Sequence, residues 1–497
     1  MRDQRRARPG PLPSCGRTRP RLRSAWGAPY NAPRHPQGAP RAVHQQGVTR
    51  EPAAVDGDLN RLEHDLDSFD PRVRERSLRE LAGAVQERRL ALPEPGPRAN
   101  LHCHTFFSYN AYGYSPSHIA WLAAKAGLAV VGIVDFDVLD GVDEFLGAGR
   151  LLNLRACAGM ETRVFIPEFA PYVINSPGEP GISYHMAVGL PSADLDAEQQ
   201  RFAAGLRATA QQRNRELVAR VNEFLAPVTL DYDRDVIPLT PSGNATERHI
   251  CLAYARRAQE LFGNGPRLVE FWSEKLGTDA AALDLPLGVT LQQHIRQRTM
   301  KRGGVGYVQP DTGSFPRLAD ANRFILAAGG IPTHTWLDGT SEGEARIEEL
   351  LHIVMQSGVC AINIIPDRNY TRGVADEKLR NLHAVVAVAK TMDLVIVVGT
   401  EMNAPGQKFV DDFDSAELAP LAPAFLAGAH IVYAHSVLQR RAGLGYTSRW
   451  ASARLPSRAE RNEFFGLLGE RLRPHNEAAL DGIDGDMTPD AILHRLD

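Results

Sequence analysis

Six apolar, strand-like runs in this chain each end on a residue able to bind a metal ion. Arg98-Ala99-Asn100-Leu101 leads into His102-Cys103-His104, residues 129–134 run into Asp135-Phe136-Asp137, and Cys157-Ala158-Gly159-Met160 ends on Glu161. Ile182-Ser183-Tyr184 delivers His185, residues 329–333 deliver His334, and residues 394–400 deliver Glu401-Met402-Asn403. In parallel α/β folds the active site lies at the carboxyl ends of the strands, so ligands placed there repeatedly converge in space. Side chains two residues apart on a strand share a face. His102 and His104 therefore reach one ion, while Cys103 points the other way and packs.

Between these runs lie helical stretches at 117–126, 344–356 and 376–391, a connection at 140–152 and a further strand at 361–365. Such alternation argues for a parallel, barrel-like sheet. Residues 58–92 carry apolar positions at helical intervals and read as one or two amphipathic helices broken at Asp70-Pro71. His118 is expected on a helix surface, and residues 431–436 read as a last strand ending in His435.

The formal net charge of -3 conceals an asymmetry. Residues 1–50 hold eleven arginines and one acid, so they carry +10 and the rest of the chain -13. An acidic body argues against general nucleic-acid binding. The same fifty residues hold eight prolines and almost no apolar run. They cannot bury enough surface to offset chain entropy and are expected to be a disordered tail, either genuine or an artefactual upstream start, with a transit peptide as the alternative. No segment has the apolar length of a membrane span, and the expected location is cytoplasmic. Five cysteines without CxxC spacing form no disulfide framework.

His102-x-His104, residues 134–141, Gly159-Met160-Glu161, the H-x-x-x-G element at His185 and Gly330-Ile331-Pro332-Thr333-His334 together resemble the PHP (polymerase and histidinol phosphatase) metallohydrolases. The resemblance spans residues 98–440 or so, with compact spacing from His102 to His185. It implies an α/β fold, a distorted (β/α)7 barrel, holding two or more divalent ions of zinc, manganese or iron. Residues 134–141 stand where the family typically reads T-D-H-D-T-L-x-G, so Phe136 replaces a metal-binding histidine, and Glu401-Met402-Asn403 replaces a late D-x-H pair. A phenyl ring cannot ligate a metal, so at least one of the family's usual metal positions must be lost, or rebuilt with Asp135 or Asp137 as an oxygen ligand. The expected metal ligands are His102, His104, Asp135, Glu161, His185, His334 and Glu401.

His334 lies 149 positions beyond His185, far more than one β-α unit needs. Residues 195–303 in this gap read as a helical insertion over the strand ends, where insertions serve as lids or selecting caps. The expected divisions are a tail at 1–55, a helical element at 56–97, the barrel at 98–194 and 304–450, the insertion, and a helical extension at 451–497. Within the insertion, a helix capped by Asn244 or Thr246 and the Lys301-Arg302-Gly303-Gly304 turn are candidate phosphate contacts.

These features point to a metal-dependent hydrolase, foremost a phosphoesterase acting on a small phosphorylated metabolite. Arg163, two residues past Glu161 on the same strand face, is the expected catalytic clamp, with His435 as an acid-base candidate and Arg248, Lys301 and Arg368 as phosphate contacts. Hydrolysis of an amide or ester is the second reading. A barrel that binds a ligand without turnover is the third.

Overall fold

The computed structural model describes residues 52–497, apart from 280, 281, 311, 312, 372, 374 and 375. The expectations for residues 1–51 lie outside them. Seven strands form one mixed sheet in chain order: β1 (Ala99–Cys103), β2 (Val130–Phe136), β3 (Arg155–Phe165), β4 (Ile182–Leu190), β5 (Ile331–Trp336), β6 (Ala361–Ile364) and β7 (Val395–Val398). Their residues are buried on both faces with few exceptions, which is why the sequence shows continuous apolar runs and not alternation. The sheet curls toward closure beyond β7. Glu401 N–H donates to His102 C=O at 2.7 Å, and His104 N–H donates to Glu401 C=O at 2.8 Å.

The sheet is not wholly parallel. β4 runs antiparallel to both β3 and β5, because the chain leaves β3 and returns through residues 166–181 at the same end of the sheet, without a crossover helix. The start of β4, not its end, therefore lies beside the carboxyl ends of β3 and β5.

Helix Ala422–Ala442 packs its Ala429, Val432 and Val437 against Ala99, Val130, Ile331, Ala361 and Val395, so it plugs the barrel at the amino ends of the parallel strands. Gly428 permits that approach, since a Cβ there would run into the carbonyl of Ile396. The strand expected at 431–436 belongs to this helix. A short apolar run cannot be told from a buried helical segment by periodicity alone. Helices Pro52–Asp65 and Pro71–Gln86 cover another flank, the second opened by Asp70, whose side chain accepts from Arg72 N–H, and by Pro71 in its first turn. They also bury His118, whose Nδ1 lies 2.7 Å from Asp67 Oδ2. The expectation of an exposed His118 fails because its cover comes from 51 residues upstream.

Between β4 and β5 run helices Ala197–Leu225, Glu247–Phe262, Pro266–Leu276 and Val289–Thr299. They share an apolar core built on Val221, Tyr254, Trp272 and Ile295. Asn244 ties them to the barrel by donating to the carbonyls of Phe107 and Phe136. Among the described residues no helix is long and apolar enough to cross a membrane.

Candidate metal centre and its cavity

β1 carries one extra residue against β2 between Asn100 and Cys103. The bulge lets Leu101 stay in the apolar plug while His102 and His104 both turn inward, and Cys103 packs into the outer core. Glu161, from β3, meets them there. Its Oε2 lies 3.4 Å from His102 Nε2 and 3.1 Å from His104 Nε2, with all three side chains at most 2% exposed. Among the described residues these three form the group with metal-ligating spacing.

The electrostatics fit a cation. None of the three converging atoms has a hydrogen-bond partner, an expensive arrangement for buried polar atoms unless something binds them. Burial alone would raise the Glu161 pKa, but the two imidazoles hold it down at about 2. Burial likewise opposes a charge on His102, yet Glu161 outweighs it and the pKa rises.

The far sides of both rings are oriented. His104 Nδ1 lies 3.2 Å from Ser108 Oγ, which donates to Asp135 Oδ1 at 2.6 Å. Ser108 therefore accepts from Nδ1–H, leaving Nε2 of His104 with its lone pair toward Glu161. The side-chain amide of Asn363 meets His102 Nδ1 at 3.1 Å while its Oδ1 has no partner. A half-turn of that amide lets Oδ1 accept Nδ1–H and frees Nε2 in the same way.

The other expected ligands lie elsewhere. Asp135 faces away from the interior, where it accepts from Thr105 N–H at 2.7 Å, Thr105 Oγ1 at 2.6 Å and Ser108 Oγ. It acts on the centre only through Ser108. His185 and His334 are register partners on β4 and β5, and both point outward. His185 Nε2 meets Asn322 Oδ1 at 2.6 Å, on helix Leu318–Ala327, and His334 shares its face with Trp336 of the outer core. Burial lowers the His185 pKa to about 4 and, with His185 beside it, that of His334 to about 3. The inward positions beside them are Tyr184, Met186, Thr333 and Thr335. A strand's faces alternate every residue, so the apolar runs were legible but neither where β4 and β5 end nor which neighbour turned inward.

His435 is no acid-base group. It lies inside the plug helix, its Nδ1 accepting from Tyr446 N–H at 2.9 Å and its Nε2 donating to Gly329 C=O at 2.9 Å. Glu401 does border the cavity, at a left-handed φ of 63°. Its Oε2 accepts from Arg368 Nη2 at 2.8 Å and Gln407 Nε2 at 3.0 Å. Burial pushes its pKa up, but Arg368 foremost brings it below the ordinary value. Phe136 turns inward and stacks on His104, with ring centroids 4.4 Å apart.

A cavity of ≈ 1010 Å³ opens above this floor, lined by Phe136, Glu161, Arg163, Tyr184, Arg368 and Glu401 below and by the inserted helices above. Arg163, Arg248, Lys301 and Arg368 all line it. Arg163 donates to Glu179 at 2.9 Å, and Lys301 shares Glu247 with Arg296, each at 2.8 Å. Arg213, Ser108 and Asn363 were missed. Asn363 was detectable as a polar residue in an apolar strand. Arg213, on a helix crowded with charge, and Ser108, in a loop, carry no such signal.

No family model matches the chain, and no curated protein does. Among solved structures, an amidohydrolase from Chromobacterium violaceum, described with bound sulfate and no metal, aligns at 18% identity and a TM-score of 0.45, covering 63% of this chain and 91% of that one. A protein from Bifidobacterium adolescentis provisionally described as a metal-dependent phosphoesterase aligns at 18% identity and a TM-score of 0.41, covering 67% and 98%.

Proposed function

We propose that this chain is a PHP-like metal-dependent hydrolase acting on a small phosphorylated molecule, with one divalent ion held by His102, His104 and Glu161. The observation that carries the reading is the convergence of three buried, unpartnered ligand atoms at the floor of a cavity where cations are in excess. Among the described residues nine lysines and arginines line it against six aspartates and glutamates, in a chain whose body is acidic overall. Three protein ligands leave coordination positions open, as catalytic sites do. The ion would supply an activated water near neutral pH and Lewis acidity toward the scissile group.

The protein's own groups do the rest. Ser108 and Asn363 hold the imidazoles in the ligating tautomer. Arg163, one layer above Glu161, and Arg368, beside Glu401, offer guanidinium forks to phosphate oxygens. Phe136 and Tyr184 wall the floor with apolar surface and limit its water.

Elemental analysis of the purified chain, followed by a screen of phosphate monoesters and diesters, tests this. Bound zinc, manganese or iron together with phosphate release is the expected result. Metal with cleavage of amides or esters alone would move the activity to a carbon centre. Neither metal nor turnover would leave a ligand-binding barrel and end the hydrolase reading.

A further inference from the structure

The cavity's cations differ in how they are neutralised, and on the inserted helices Lys301 and Arg296 share Glu247. On the barrel side, Arg163 and Arg368 are each ion-paired, to Glu179 and Glu401. On the side of the inserted helices, Arg213 and Arg248 have no carboxylate within ion-pair distance among the described residues. Arg213 Nη1 is buried without any hydrogen-bond partner. The guanidinium lies 4.4 Å from the ring centre of Phe315, and Arg163 lies 4.2 Å from that same ring. Two like charges are thus held against one side chain, and the nearest acids acting on Arg213, namely Asp137, Glu179 and Glu247, do so from beyond contact. Burial and Arg163 together lower its pKa to about 10, so it stays charged at neutral pH.

Arg213 is half-buried, and a buried donor atom without a partner, set beside another cation, is costly unless an anion completes it. Phe315 holds both guanidiniums beside its ring, and while Arg163 spends part of its fork on Glu179, Arg213 keeps an N–H without a partner for an oxyanion. With one phosphate at the His102, His104 and Glu161 group, a cavity of ≈ 1010 Å³ would leave room for a second anionic group of the same molecule.

We infer that the inserted helices build a second anion subsite centred on Arg213, and that the substrate is a small molecule carrying two anionic groups, one for the metal floor and one for this subsite. The assignment of a substrate rests on the hydrolase reading, whereas the anion subsite does not need it. The floor would cleave, and the inserted helices would select by charge.

Calorimetric titration of the full chain with inorganic phosphate tests the inference. The metal-loaded protein is expected to bind two phosphates and the chelated protein one, at Arg213. Arg213→Met should weaken that metal-independent binding at least tenfold with metal content unchanged. His104→Ala should keep it. Circular dichroism checks the fold, and Arg213→Lys, which keeps the charge but not the fork, should weaken binding by a smaller factor. Absence of phosphate binding to the chelated wild type overturns the subsite, as does wild-type affinity in a folded Arg213 variant. Because that arm contains no metal, failure of metal binding or of turnover would sink the hydrolase reading and leave this result standing.

Discussion

Two pairs of histidines sit at neighbouring strand ends in this molecule and meet opposite fates. His102 and His104 turn into the barrel, where Glu161 charges their surroundings and Ser108 and Asn363 orient their rings. His185 and His334 turn outward beneath a helix, where His185 keeps one amide contact and neither nitrogen of His334 has a partner. All four are fully buried. Residue type and burial therefore do not by themselves bring ligand atoms to metal-binding spacing. A convergent carboxylate does, and the strand face decides whether one is met.

The largest expected effect belongs to the inner pair. His104→Ala or Glu161→Gln should lower bound metal by a hundredfold or more, since loss even of an outer-sphere partner costs about 10–100-fold, and turnover should fall with it. In Glu161→Gln, which keeps the side-chain volume, the urea midpoint should move little, whereas His104→Ala also removes the ring stacked on Phe136 and should lower it. A metal content unchanged by elemental analysis would break the contrast at its root. Ser108→Ala comes next, with metal affinity down by about tenfold or more as His104 loses its tautomer restraint. Competition against a chelator of known affinity reads it.

The outer pair should respond in stability alone. His185→Leu strands Asn322 Oδ1 and should cost about 1–2 kcal/mol, while His334→Leu removes an unpartnered buried ring and should be neutral or stabilising by up to about 1 kcal/mol. Both should keep wild-type metal content, and loss of metal in either would return them to the ligand set. The pair also sets a pH dependence. Folded, these imidazoles resist protonation down to about 4 and 3, whereas unfolded they protonate near the ordinary 6.5. Their stabilising contribution is complete above that value and is lost as pH falls toward 4, because the unfolded chain takes up protons that the folded one does not. Unfolding titrations from pH 7 to 4 should show a shallower loss in His334→Leu than in wild type.

The smallest effect sharpens the comparison. Phe136→His places a third imidazole against His104 on the inner face, and should raise metal affinity by a few fold at a modest packing cost. Unchanged affinity would mean that the stacked ring position cannot reach the ion.

His102, His104 and Glu161 were legible because short-range rules cover them: an i, i+2 pair on one strand and an acid at the end of the next buried run. Asp135 and His435 were misassigned for a shared reason. Each is a polar residue closing an apolar run, and a run of six residues does not say whether it is strand or helix, or which face its last residue takes. Arg213 was invisible, since nothing within its own helix distinguishes it from the other arginines there.

The sequence by itself determined most of the order of strands and helices, the ends of β1, β2 and β7, the position of the inserted helices and the grouping of His102, His104 and Glu161, because backbone hydrogen bonding and apolar burial act over windows of a few residues. Only the tertiary structure decided the reversed direction of β4, the outward turn of His185 and His334, the plug helix that holds His435, and the meeting of Arg163 and Arg213 across Phe315. Those outcomes rest on contacts between residues tens to hundreds of positions apart, and pairing energies of that range leave no periodicity in the chain.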